Sequence, residues 1–198
     1  MAKLEAGIAR DDALALLKEH NKEEFHIEHA HSLEGTMRYF AREFDPENEE
    51  FWGVVGLLHD LDWEEYPQLE DHTLKAEPWL RAAGGTDALV HAVQSHNFAA
   101  EGCPEPELFM EKVLYATDEL TGLIGAAVLM RPSRSVMDLP LKSLKKKFKD
   151  KRFAAGCSRE VISHGAELCG WEVDELMERT IAAMQSFAPD RDTFKPEA

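Results

Sequence analysis

Histidine and aspartate side chains that suit metal binding recur along the sequence. The pair His59-Asp60 ends the apolar run in GVVGLLHDLDW, His31 lies in a segment with helical apolar spacing, and Asp118 has mostly apolar neighbours in VLYATDELTGLIGAAVLM. A buried carboxylate without a partner costs several kcal/mol, so it is normally neutralised. Imidazole nitrogens together with carboxylate oxygens suit Mn, Fe, Co, Ni or Zn, with Mg where oxygens dominate. These residues therefore indicate a site for a divalent metal ion.

Each residue taken alone also has a simpler explanation. A lone interior histidine is commonly a hydrogen-bonded core residue, and Asp118 could pair with Lys112 or Arg38 or face water. The collection favours the metal, because many of the nine histidines fall between residues 20 and 96. His59 could bind one ion while the two oxygens of Asp60 bridge to a second, and two such ions together hold a hydroxide and a phosphoryl group.

The elements that must position these residues are predicted to be helices, because the apolar spacing is mostly helical and strand signals are scarce. The predicted helices are a short one from Asp11 or Asp12 to Lys18, then about 24–44, 46–58, 69–83, 87–96, 104–130, a basic helix after Pro140, 159–170 and 174–187. We predict an all-α chain and a single domain over 1–198, a bundle of about eight or nine helices. Its core spans about 25–187, and the tail from Pro189 is expected to be frayed.

Composition narrows the class of function. The chain has 22 basic and 38 acidic residues and a net charge of −16, which argues against bulk binding of nucleic acid or an anionic membrane. No apolar run approaches the roughly 20 residues of a membrane span, and MAKLEAGIARDD lacks the apolar core of a signal peptide. The three cysteines form no CxxC pair, so a reducing cytoplasmic location is expected. The four tryptophans could be core or interface residues, which leaves the oligomeric state open.

The stretch KSLKKKFKDKR, residues 142–152, is strongly basic in this acidic chain. One interpretation is a solvated helix face that offsets the acidic excess. The functional interpretation is a rim that attracts an anionic substrate towards a metal-lined cleft. The sequence has no GxGxxG or GxxxxGKS phosphate loop and no GxSxG elbow.

Five segments in order resemble the HD superfamily of metal-dependent phosphohydrolases, specifically the small stand-alone HD or HDIG-type proteins of bacteria. They are HSLEGTMRYFA, LLHDLD, EDHTLKAEPWL, VQSHNF and YATDELTGLI. The resemblance covers about residues 25–187, nearly the whole chain, and implies a single HD domain.

The resemblance also implies a set of site residues. The first metal would be bound by His31, His59, Asp60 and Asp118, and a second, bridged by Asp60, by His72 and His96. One ion is expected and a second is allowed, because Asn97 stands where many relatives carry another histidine. Asn97 and the residues of the RPSRS turn and the basic stretch would bind substrate: Arg131, Ser133, Lys142 and Lys145.

The remaining candidates are assigned by their local context. Glu64, together with Asp60, is a candidate catalytic residue that could act as a general acid or base, and a solvated loop glutamate is the alternative. His26 and His29 are assigned to the flank of the His31 helix and His91 to a structural role. The remaining two, His20 and His164, are expected at the surface.

These assignments predict a metal-dependent phosphomonoesterase or phosphodiesterase acting on a small phosphorylated molecule such as a nucleotide. A metal-bound hydroxide would attack phosphorus, and the ions and cationic side chains would stabilise the developing charge. One alternative is an HD-fold di-iron oxygenase, which iron content and oxygen consumption would reveal. The other is a non-catalytic regulatory module, which would bind metal or nucleotide without turnover.

Overall fold

The computed structural model describes residues 3–188, and this range contains nine α-helices, two short 3₁₀ turns and no strand. The all-α prediction of about eight or nine helices is confirmed. The frayed tail predicted from Pro189 lies outside the described residues. The helices are α1 (Arg10–His20), α2 (Glu24–Phe44), α3 (Glu49–Leu58), α4 (Ala76–Ala82), α5 (Asp87–Ser95), α6 (Phe109–Leu129), α7 (Leu141–Lys149), α8 (Arg159–Cys169) and α9 (Val173–Phe187).

The chain divides into two compact units, unit 1 (Met1–Leu114) and unit 2 (Tyr115–Ala198). The division falls inside α6, which is one uninterrupted helix. The prediction of a single domain is not decided by this division and stays a prediction. Across the part of the chain that the structure describes, every helix is too short or too polar to cross a bilayer.

The core of unit 1 is built on α3, which packs against α1 and α2. Residues 51–58 are all buried, so the apolar run ahead of His59 lies fully inside the protein. Gly56 allows the close approach of α2, because a Cβ there would lie only 2.9 Å from the carbonyl oxygen of Leu33. This contact fixes the end of α3 against α2.

The predicted helix over about 69–83 is shorter in the structure, where α4 covers only Ala76–Ala82. Residues 59–75, which we call the ligand loop, form successive turns. Thr73 has a φ of 68°, a left-handed conformation that ends helical geometry. The side chain of Asp62 accepts hydrogen bonds from the backbone N–H groups of Thr73 and Ala76. This long-range bonding overrides the local helical pattern.

In unit 2, α9 packs against α7 and α8. Ser158 caps α8 by accepting a hydrogen bond from Val161 N at 3.2 Å, and Gly170 ends it with a φ of 74°. Both boundaries confirm the sequence-based prediction. In contrast, α6 begins at Phe109 and not near Pro104, because the Glu111 carboxylate accepts from Glu107 N and Leu108 N and so satisfies the backbone just ahead of the helix.

A buried carboxylate on α2 stabilises unit 1. Glu34 accepts two hydrogen bonds of 3.0 Å from Arg10, and it also contacts His31 and Arg38. Burial alone would raise the pKa of Glu34, but hydrogen bonds from His31 and Arg10 and the charges of Arg10 and Arg38 lower it from 4.5 to about 2.

Replacing Glu34 by glutamine is therefore expected to reduce the free energy of unfolding by about 2–3 kcal/mol at pH 7. Because the folded-state pKa is the lower one, this contribution is complete above the unfolded pKa. It is lost as the pH falls from 4.5 towards 2. Urea unfolding of wild type and Glu34→Gln at several pH values measures the difference. Glu50→Gln, which removes a carboxylate that is 67% exposed, is the control and should have a much smaller effect. A wild-type-to-variant difference that does not shrink at low pH would contradict this assignment.

Candidate metal centre

Four histidines and Asp60 of unit 1 come together from two helix ends, one loop and one helix. His59 and Asp60 directly follow α3, and His96 directly follows α5. His72 lies in the ligand loop, and His29 lies on α2. The potential ligand atoms of His29, His59 and Asp60 lie within 4.8 Å of one another, and so do those of Asp60, His72 and His96.

The first pair of imidazoles faces one oxygen of Asp60. The Nε2 atoms of His29 and His59 are 3.1 Å apart. Asp60 Oδ2 lies 3.2 Å from Nε2 of His59 and 3.7 Å from Nε2 of His29. These three atoms can bind a single ion.

The second pair faces the other oxygen of the same carboxylate. The Nε2 atoms of His72 and His96 are also 3.1 Å apart. Asp60 Oδ1 lies 3.3 Å from Nε2 of His72 and 3.5 Å from Nε2 of His96. Asp60 therefore presents one oxygen to each histidine pair, which is the arrangement of a carboxylate that bridges two ions.

The other ring nitrogen of three of these histidines is already bonded. Nδ1 of His59 lies 2.8 Å from Gly56 O, and Nδ1 of His96 lies 2.6 Å from Val93 O. Because a carbonyl can only accept, each Nδ1 donates a proton, which leaves Nε2 as the ring nitrogen that could bind an ion. Nδ1 of His72 lies 2.9 Å from Asp62 Oδ1. This pattern, in which the outward nitrogen binds a carbonyl or carboxylate, is typical of metal-binding histidines.

The spacing of the nitrogens fits a shared cation. At 3.1 Å the Nε2 atoms of His72 and His96 can share a proton in a hydrogen bond, or a metal ion that replaces that proton. Two nitrogens bound to one ion at ~2.1 Å would lie ~3.4 Å apart at the tetrahedral angle and ~3.0 Å apart at a right angle, which brackets the observed spacing. The donor set of unit 1 therefore fits a metal ion at each histidine pair.

The electrostatics of the cluster favour the forms that bind metal. Burial alone would raise the pKa of Asp60, but the charge of His59 and hydrogen bonds from His59, His72 and His96 hold it well below its ordinary range. Burial would lower the pKa of His72, but hydrogen bonds to Asp60 and Asp62 raise it to about 9. Asp60 is thus ionised at neutral pH, and a metal ion must displace a proton from His72.

The structure brings His29 to the cluster in place of His31. Successive residues of an α-helix are about 100° apart, so residues two apart point to nearly opposite faces. Nδ1 of His31 lies 3.4 Å from Glu34 Oε2, on the side of the ion-pair network of that carboxylate. His29, which the sequence placed on a flank, thus lies with His59 and Asp60 in the candidate site, and the assignment of His31 as a ligand stays a prediction. Asp62 was also missed, and its only sequence signal is a second aspartate in the run LLHDLD.

Two other predicted site residues have structural partners. Glu64 accepts from the backbone N–H groups of Lys22 and Glu23 at 2.9 and 2.8 Å, and it contacts His26 Nδ1 at 2.8 Å. Both of its oxygens are bonded just ahead of α2, and its catalytic role stays a prediction. Asn97 donates from Nδ2 to the carbonyls of Leu69 and His72, and its contact with substrate stays a prediction.

The remaining histidines of unit 1 lie outside the cluster. His91 Nδ1 lies 2.8 Å from Oε1 of the buried Glu111, which agrees with the predicted structural role. His20 was expected at the surface, but it stacks on Trp79 with ring centroids 3.6 Å apart and bonds to Glu65. Stacking removes most of its ring from water.

Unit 2 carries the other predicted site residues. Asp118 is half-buried on α6, and its assignment as a ligand stays a prediction. Arg131 and Ser133 both donate to Asp138 Oδ1, at 2.8 and 2.9 Å, so these predicted substrate ligands are paired with a carboxylate. His164 was also expected at the surface, and the structure confirms this: the residue is exposed, with its ring edge-on to that of Tyr115.

The basic helix α7 lines a groove of about 550 Å³ with Lys142, Lys145, Lys146 and Lys149. Lys145 forms an ion pair with Asp174 on α9. Lys142 is exposed and, among the described residues, has no ion-pair partner. Of the two lysines assigned to substrate, Lys142 is therefore the freer.

Comparison of the chain with protein-family models, with curated proteins and with solved structures finds no match in any of the three. The assignment to the HD superfamily thus stays a prediction from the sequence segments. The geometry of the histidine cluster is independent of that assignment.

Proposed function

We propose that this chain is a metal-dependent phosphohydrolase that acts on a small phosphorylated molecule, with the nucleotides as the first class to test. One observation carries the proposal: the two oxygens of Asp60 face two separate histidine pairs whose Nε2 atoms are 3.1 Å apart. A carboxylate shared between two nitrogen pairs favours two ions a few Å apart. Such centres are typical of enzymes that hydrolyse phosphoesters.

The donor set selects the class of metal. Nitrogens from four imidazoles and oxygens from a single carboxylate suit Mn, Fe, Co, Ni or Zn better than Mg or Ca, which prefer all-oxygen sites. Within unit 1, Asp60 supplies the only negative charge among the five ligand residues, His29, His59, Asp60, His72 and His96. Two divalent ions held there keep excess positive charge, which favours an anionic substrate.

The protein's own groups prepare the site for this chemistry. When bound, the ions would lower the pKa of water and stabilise the charge that develops on a transferring phosphoryl group. Asp60 holds its two oxygens between the histidine pairs, and the bonds at Nδ1 of His59 and His96 fix both rings. His59 is completely buried, so these contacts lie in a low-dielectric environment in which charge interactions are strong.

We propose that two exposed lysines of α7, Lys142 and Lys146, attract the anionic substrate. Lys142 and Lys146 are four residues apart, on the same face of the helix, and both are exposed. Replacing both by alanine should raise KM about three- to tenfold with little change in kcat, because exposed charges each contribute up to ~1 kcal/mol to attraction. Steady-state kinetics at low ionic strength measure the effect. The matched control is Lys151→Ala with Arg152→Ala, which removes equal charge next to α7. If the two double variants raise KM equally, α7 has no specific role in attracting substrate and is a solvated surface helix.

The proposal is tested by elemental analysis of the purified protein, followed by a panel of phosphomonoesters and phosphodiesters assayed with the metal found. We expect up to two transition-metal ions per chain and turnover of at least one phosphoester. Iron together with substrate-dependent oxygen consumption, and without phosphoester turnover, would instead favour the di-iron oxygenase. Metal-free protein that binds no added metal would overturn the proposal.

A further inference from the structure

Asp62 is a fully buried carboxylate two residues after Asp60. It contacts Nδ1 of His72 at 2.9 Å and accepts hydrogen bonds from Thr73 N at 3.1 Å and Ala76 N at 2.8 Å. All three partners lie at or just before the start of α4. One side chain therefore fixes both the imidazole ring of His72 and the backbone on its C-terminal side.

The segment that carries His72 lies outside the α-helices and has only isolated helical hydrogen bonds, such as His72 N to Gln68 O at 2.8 Å, so side-chain bonds add to its support. Residues 59–75 are turns, and the left-handed φ of 68° at Thr73 is an unfavourable conformation for a β-branched residue. Asn97, next to the ligand candidate His96, donates to His72 O at 3.1 Å. His72 is thus held by Asp62 through its ring and by Asn97 through its backbone.

The histidine pair formed by His29 and His59 is held differently. The ring of His59 is fixed by the carbonyl of Gly56, within α3 itself, at 2.8 Å. His29 belongs to the long helix α2. The three hydrogen bonds of the Asp62 carboxylate described above go to His72, Thr73 and Ala76, so they support the pair formed by His72 and His96.

We propose that Asp62 is the positioning residue that makes the His72–His96 pair a metal site. This inference rests on the proposed metal centre, and it assigns a selective role: Asp62 controls binding of one ion and leaves the ion at the His29–His59 pair unchanged. A carboxylate that accepts from the outward nitrogen of a ligand histidine fixes the tautomer and raises the basicity of the ring. Losing such a partner typically weakens metal binding 10–100-fold.

The test is equilibrium dialysis of metal-free wild type and Asp62→Asn against graded free Co²⁺, with cobalt counted by elemental analysis. Wild type should bind two ions per chain. The variant should bind the first with wild-type affinity and the second about 10–100-fold more weakly. Asp45→Asn is the matched control, because Asp45 is also buried and accepts hydrogen bonds from Asn48 and Trp52. It should retain both ions. Far-UV circular dichroism verifies that each variant is folded.

The outcomes separate this inference from the proposed function. Two ions of unchanged affinity in Asp62→Asn overturn the role of Asp62 and leave the metal centre standing, as does weakening of both ions together. A wild-type chain that binds one ion overturns the inference, and one that binds none overturns the proposed function as well.

If Asp62→Asn does not fold, ¹⁵N NMR of the zinc-loaded wild type decides. The proton of His72 should lie on Nδ1, and a proton on Nε2 would overturn the inference.

Discussion

Replacing Asp60 by alanine is expected to abolish metal binding at both histidine pairs and to remove phosphoester hydrolysis at the same time. Each oxygen of Asp60 lies within 3.7 Å of two Nε2 atoms, so the substitution takes one ligand from each pair. It also removes the only negative charge among the ligands in unit 1. Within unit 1, four imidazoles without a carboxylate would then have to hold two dications in close proximity, which Coulomb repulsion opposes.

The measurement combines metal content after dialysis with kcat/KM on a phosphoester that the wild type turns over. We expect metal content to fall close to zero and kcat/KM to fall about a thousandfold or more, since metal ions contribute several kcal/mol to such transition states. Asp71→Ala is the control, because Asp71 lies in the same loop but pairs with Lys75 and is 41% exposed. Full activity of the Asp60→Ala protein would refute a metal centre in which Asp60 is a ligand at both histidine pairs.

Much of the fold could be predicted from local sequence signals. The bounds of α2, the Ser158 cap of α8 and the Gly170 terminus all depend on residues within one helical turn of the boundary. The start of α4 could not be predicted in this way. It depends on Asp62, which bonds Ala76 across 14 positions of the sequence. Nothing in the local pattern of residues 69–75 reveals that partner.

The part of the candidate site that could be predicted consists of residues that directly follow an apolar segment of the sequence. His59 and Asp60 follow the buried helix α3, and the structure brings them together with His72 and His96. The side chains that support the ligands were not predictable. Asp62 and Asn97 bond to backbone atoms of the ligand loop, and Glu64 bonds to backbone ahead of α2. Sequence shows that a residue is polar, but not which carbonyl or N–H group it will meet.

The choice between His29 and His31 shows why a helix face cannot be assigned from spacing alone. Both lie on α2, and both sides of this helix are largely covered: His31 is 6% exposed and Ala30 is 1% exposed. A helix buried on more than one side gives no clear polar stripe, so periodicity does not identify the face that meets α3. The ring contact of His29 with His59, at a centroid distance of 5.0 Å, identifies that face.

These two histidines give the second large prediction, because their replacement should have opposite effects. His29→Ala removes a ligand from the first pair and should cost about one metal ion per chain, with a fall in kcat/KM of about a hundredfold or more. His31→Ala leaves all five ligands in place and should keep full metal content. It should instead lower the free energy of unfolding by about 1 kcal/mol, because Glu34 loses a hydrogen-bond partner.

Metal counting, steady-state kinetics and urea unfolding of the two variants therefore form one experiment, in which each variant is the control for the other. Loss of metal in His31→Ala with full retention in His29→Ala would restore the assignment made from the sequence segment HSLEGTMRYFA. Loss of metal in His29→Ala alone would show that His29 is the ligand on α2 and that His31, two residues later, is not. A rotation of about 200° along α2 separates a ligand that faces Asp60 from a residue that faces Glu34.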